Sequence, residues 1–175
     1  MHIILIGFKS VGKSAVGKEL AKQIGLPFAD LDEELQKANL KNTGEKLNSR
    51  QIMLKIGQQA FRELEHLTLK EMLINLPDSV IALGGGAPMH EPSRELIAAH
   101  NAVLVEAPKN IVFERIMING RPAFFSPDES PLESFNRIWE ERAPIYEQLA
   151  KIKINNSGNL QHAVDQIKLV INQTV

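Results

Sequence analysis

The chain has 175 residues, 43% of them hydrophobic, which suits one domain with a sizeable core. Lys and Arg number 20 against 21 Asp and Glu, a formal charge of −1 that gives no electrostatic case for a nucleic-acid or anionic-membrane partner. With no cysteine, disulfides, thiolate catalysis and zinc–thiolate sites are excluded.

Strand and helix signals alternate along the chain. An apolar run at 2–6 (HIILI) reads as a strand and leaves no room ahead of it for a secretory leader. A helix over 13–24 follows, then a short strand at 27–30 (PFAD). Residues 32–76 hold helix signal alone, over 32–40 and about 50–76, more than one crossover needs. A strand at 79–83 (SVIAL) leads through three glycines to a helix at 92–99, a strand at 102–106 and a helix at 109–118. Residues 120–131 (GRPAFFSPDESP), with three prolines between helices, read as a lid. A helix at 132–149, a strand at 152–155 and a helix at about 159–172 complete the chain. Such alternation predicts an α/β fold, a parallel sheet covered on both faces by right-handed crossovers. No apolar run approaches the ~20 residues that cross a bilayer. A single domain over 1–175, cytoplasmic and without a membrane or nucleic-acid partner, is expected.

The turn after the first strand carries the clearest chemistry. Gly7, Gly12, Lys13 and Ser14 form G-x-x-x-x-G-K-S between a strand and a helix, the context that marks a phosphate-binding P-loop. Backbone N–H groups of such a loop cradle phosphate at a helix N-terminus. Ser10, Val11, Gly12, Lys13, Ser14 and Ala15 are therefore expected to bind ATP. Lys13 should reach the β- and γ-phosphates, and the Ser14 hydroxyl should ligate Mg2+. No N-K-x-D for guanine and no ABC signature occurs. The carboxylates at a strand end are Asp30 and Asp32, and Asp30-x-x-Glu33 is also a capping-box pattern for the next helix. Trp139 reads as a core residue, and His90 gains no role because no partner stands at metal spacing.

Gly84, Gly85 and Gly86 raise a separate question, since consecutive glycines cost stability unless something needs the bare backbone. Phe61-Arg62 lies in the long helical stretch, Arg121-Pro122 in the lid, and EERAPIY, with Arg142, Pro144 and Tyr146, in the helix after it. Taken in this order, the motifs resemble the shikimate kinase family over essentially the whole chain. The resemblance implies a three-layer P-loop kinase fold with a five-stranded parallel sheet of order 2-3-1-4-5. Residues 32–76 would then be a helical substrate-binding insert and 120–131 the lid. It implies an ATP-dependent transferase of the shikimate pathway, phosphorylating the 3-hydroxyl of shikimate, with Mg2+. It implies that Asp32 orients or accepts the attacking proton and that Asp30, with Ser14, serves Mg2+. Arg62 and Arg142 would grip the carboxylate and Arg121 would close over the phosphates. Gly84, Gly85 and Gly86 would floor the substrate site, so that a Cβ at Gly85 takes up substrate volume. Arg115 and Asn159 are candidates for the adenine, and a monomer is expected.

Glu65, one turn after Arg62, could hold that guanidinium in place. Four departures from the family pattern stand out. Ser10 replaces a usual glycine, Ala15 a usual threonine, RPAFF replaces R-P-L-L, and the insert is about two residues longer. The alternatives are another small-molecule kinase of this fold, such as one acting on gluconate, or a nucleotide-binding regulatory protein that has lost catalysis.

Overall fold

The computed structural model describes residues 1–118, 120–122 and 124–172. Five strands form one parallel sheet: β1 (Ile3–Ile6), β2 (Phe28–Asp30), β3 (Val80–Ala82), β4 (Asn101–Glu106) and β5 (Ile152–Asn155). Their order is β2-β3-β1-β4-β5, the order that the resemblance implies. Every residue of β1 and β3 is buried, as a strand with helices on both faces requires. Ile4 pairs with Ile81 on one side and Ala102 on the other, so the first strand is the spine of the sheet.

Helices α1 (Lys13–Ile24) and α8 (Leu160–Asn172) pack together, and α1 also packs on β3. Opposite them lie α4 (Gln58–Asn75), α5 (Glu91–Ala98) and α7 (Pro131–Leu149), with α5 touching both of the others. The remaining helices are α2 (Leu31–Thr43), α3 (Ser49–Ile56) and α6 (Lys109–Ile118). The helix expected over about 50–76 is two helices. Gly57 breaks it at φ 84°, ψ 161°, a conformation open to little but glycine. Asp30 caps α2 as its pattern suggests, with its carboxylate accepting from the Asp32 amide (3.0 Å) rather than from that of Glu33. Trp139 stacks on Phe8 at 4.2 Å and 3° between planes and joins Phe135 and Tyr146 in an aromatic cluster beneath the P-loop.

The chain order brings the carboxyl ends of β1, β2 and β3 to one edge, where open α/β sheets bind ligands. The turn after β1 is tight. Gly7 and Gly12 take φ of 134° and 95°. Ser10, where the family pattern has glycine, is held at φ 66° and is the one non-glycine residue with positive φ among the described residues. An L-residue there carries a steric cost of about 1–2 kcal/mol. Ser10→Gly is expected to raise unfolding stability by about 1 kcal/mol in a denaturant titration, without weakening nucleotide binding.

Candidate active site

The P-loop ends in Gly12, which caps α1 without a side chain and leaves its first-turn amides to a ligand. A Cβ at Gly12 would overlap the Asn156 amide group, and one at Gly7 would overlap the Val105 carbonyl oxygen. The loop is thus clamped against the ends of β4 and β5. Asn156, buried just past β5, donates from Nδ2 to the Val11 carbonyl at 2.8 Å. Lys13 is buried, with Nζ bonded to the carbonyls of Gly7 (2.9 Å) and Phe8 (2.7 Å). Burial draws its pKa down to about 8, against the opposing pull of Asp32 and Asp30. Ser14 Oγ donates to Asp30 Oδ2 at 2.6 Å. The lysine, the hydroxyl and both carboxylates therefore face one cleft with Gly84 and Gly85.

The glycine run is read differently by its three neighbours. A Cβ on Gly86 would overlap the Arg62 guanidinium. One on Gly84 would come within 3.0 Å of Glu65 Oε1 and 3.6 Å of Asp32 Oδ1. At Gly85 it would stand 3.2 Å from the Lys9 amide nitrogen and 3.4 Å from the Gly7 carbonyl oxygen. Gly85 also lines both clefts, so its backbone faces the site as well as the loop behind it. There the bare backbone makes room for the P-loop itself, and at Gly86 for an arginine. None of the three glycines has positive φ, so close approach rather than turn geometry calls for them.

Arg62 and Glu65 form a hydrogen-bonded ion pair one turn apart on α4, as their spacing suggests. Glu65 is 2% exposed, and burial raises its carboxyl pKa despite the arginine beside it. Arg142 approaches from α7, and the Tyr146 hydroxyl, one turn further on, donates to the Gly85 carbonyl. Burial pushes that phenol up to about 12. Arg62, Arg142, Asp32 and the three glycines face a second cleft of about 230 Å3, the scale of one small molecule. Asp32, Gly84, Gly85 and Lys9 belong to both clefts, which are two halves of one site.

The other expected residues stand apart. Arg121 lies in the 120–131 segment with its guanidinium donating to the carbonyls of Ser126 and Glu129, the latter at 2.6 Å. Asn159 is exposed and caps α8 by accepting from the His162 amide at 3.1 Å. Arg115 sits near the end of α6 and, like them, lines neither cleft. Within the segment expected to be a lid, Ala123 lies outside the described residues.

Two clefts sharing one carboxylate, with a phosphate loop in the first and paired arginines in the second, make a site for two substrates. The family model "SKI: Shikimate kinase" matches residues 9–172. The chain belongs to the shikimate kinase family. Membership makes it an ATP-dependent kinase of shikimate. Among related shikimate kinases, that of Aquifex aeolicus is 34% identical over 97% of this chain and 95% of its own. That of Corynebacterium efficiens is 33% identical over 94% and 93%. The crystal structure of the Aquifex aeolicus enzyme superposes with a TM-score of 0.80 at 32% identity, covering 99% of this chain and 98% of that one. The Acinetobacter baumannii shikimate kinase, solved in complex with shikimate, gives 0.84 at 28% identity, covering 99% and 93%.

Sequence reasoning misses Asn156, Lys9 and the contact of Tyr146 with Gly85. Only the position of Tyr146 in the EERAPIY stretch could have signalled any of them. Asn156→Ala would leave the buried Val11 carbonyl unpaired. It is expected to cost about 1–3 kcal/mol of stability and to weaken ATP binding. Denaturant titration and nucleotide calorimetry on one variant check both.

Proposed function

We propose that this shikimate kinase transfers the γ-phosphoryl group to the 3-hydroxyl of shikimate at the seam between the two clefts. The observation that carries the assignment is that Asp32 faces both of them. Phosphoryl transfer asks for positioning and neutralised charge more than for covalent chemistry. In this reading Asp32 orients the attacking hydroxyl and accepts its proton. Ser10, Val11, Gly12, Lys13, Ser14 and Ala15 hold the phosphates, and Lys13 exchanges its carbonyl partners for phosphate oxygens. Arg121 leaves the Ser126 and Glu129 carbonyls to cover the transferring group as the lid, residues 120–131, closes. Residues 32–76 form the substrate-binding insert, and Arg115 and Asn159 flank the adenine.

Ser14 and Asp30 form an all-oxygen pair beside the loop, the donor chemistry that Mg2+ takes together with substrate phosphates. They would hold that ion, which when bound supplies charge neutralisation on the phosphates. No helix among the described residues is long and apolar enough to cross a membrane. We take it as a monomeric enzyme of the cytoplasm with ATP and shikimate as its partners, since a charge of −1 gives no case for a nucleic-acid or anionic-membrane partner.

Arg62 and Arg142 grip the carboxylate, with Gly84, Gly85 and Gly86 beneath. Planar guanidinium forks bind carboxylates with charge-assisted hydrogen bonds. Losing one partner of a desolvated charge pair costs about 2–5 kcal/mol, roughly 30- to several-thousand-fold in kcat/KM. Arg62→Ala and Arg142→Ala are each expected to show that loss with shikimate and little further loss with an analogue lacking the carboxylate. The double variant should lose less than the sum, since both serve one anion. Steady-state kinetics on the two compounds is the check. Equal losses on both would show that the arginines only support the helices.

A further inference from the structure

The two arginines of the second cleft are held in different ways. Arg62 has Glu65. Arg142 is half-buried and, among the described residues, has no carboxylate within ion-pair distance. Beside the Tyr146 hydroxyl on its own helix, what lies against it is an aromatic face: its guanidinium carbon is 5.4 Å from the centroid of the Phe124 ring, within cation–π range. Phe124 belongs to the lid and lines the second cleft. Its ring stands edge-on to Phe125 at 5.2 Å and 88°, and Phe125 is buried at 4% exposure. Phe125 thus anchors this part of the lid in the core, and Phe124 presents its face to the arginine.

We propose that Phe124 is a positioning and specificity-determining residue that couples placement of the lid to recognition of the substrate's carboxylate through Arg142. The inference rests on Arg142 gripping that carboxylate, as proposed above. Two guanidinium groups in one partly enclosed cleft repel, and each needs a partner to stay aimed at the same point. A carboxylate partner such as Glu65 fixes its arginine but cancels much of the charge. An aromatic face attracts the guanidinium through its quadrupole and leaves the full positive charge for an incoming anion. The contact also joins two elements, because Phe124 is on the lid and Arg142 on α7. An anion that immobilises Arg142 thereby fixes the surface on which the lid rests, and by linkage a well-placed lid tightens the hold on the anion. Neutral ring compounds gain nothing from this arrangement.

The test is steady-state kinetics at saturating ATP for Phe124→Leu, which keeps apolar bulk without the π face, and Phe124→Tyr, which keeps the face. Phe124→Leu is expected to raise KM for shikimate about 2- to 30-fold, with kcat within about twofold. ATP affinity measured without shikimate should be unchanged. Phe124→Tyr should restore KM, and with a carboxylate-free analogue Phe124→Leu should match the native enzyme. A merely structural role would move both compounds alike and change the thermal midpoint. An unchanged KM for shikimate, or equal losses on the two compounds, would overturn the inference. Arg142→Ala in the same assay separates the two levels. If that substitution costs the acid and the analogue equally, the carboxylate reading itself falls. If it costs the acid far more than the analogue while Phe124→Leu is neutral, only the role of Phe124 falls.

Discussion

The site depends on how closely three stretches of chain approach the backbone at Gly84–Gly86. The P-loop leans on Gly85 through Lys9 and Gly7, Glu65 and Asp32 press toward Gly84, and the Arg62 guanidinium lies over Gly86. Any Cβ in this run pushes on a phosphate-binding or substrate-facing element. The parallel pairing of β1 with β3 brings the two turns side by side. Removing side chains from one of them lets the phosphate loop and the arginine helix come within one substrate's length. Tyr146 ties the same peptide from a third direction by donating to the Gly85 carbonyl. The glycine run is thus a joint between elements.

Electrostatics follows from that packing. Bringing Lys13, Arg62, Glu65 and Asp32 together in a partly dry site costs desolvation, visible in the lowered pKa of Lys13 and the raised pKa of Glu65. Each charge is met by a local device. Lys13 folds onto two loop carbonyls, Glu65 takes Arg62, and Arg142 lies over an aromatic ring. A buried charge left with no partner would shift its protonation or unravel its helix. The 120–131 segment shows the same economy, with Arg121 satisfied by backbone carbonyls of its own loop.

Features carried by local sequence were legible before the structure. The five strands stand out as short apolar runs, and all five form within a residue or two of their expected limits. The P-loop is a contiguous signature with its own strand and helix. The Arg62–Glu65 pair follows from helical spacing alone. What escaped depends on long-range contact or on a single backbone conformation. Asn156 braces Val11 across 145 residues of sequence, and Tyr146 meets Gly85 across 61. The break at Gly57 hides in a stretch whose apolar spacing suits one continuous helix, because only its φ and ψ reveal the interruption. The P-loop contact of Gly85 has the same origin. Its sequence shows that something comes close, and only the fold shows that the neighbour is the P-loop.

In the proposed reaction a phosphoryl group passes between two clefts that share Asp32, Gly84 and Gly85. The most direct measurement is nuclear magnetic resonance of the product formed from ATP, Mg2+ and shikimate, correlating phosphorus with the ring protons. The predicted result is one phosphate ester, its phosphorus coupled to the proton on carbon 3, with one ADP formed for each ester. ATP turnover without an ester, or phosphate on another hydroxyl, would contradict it.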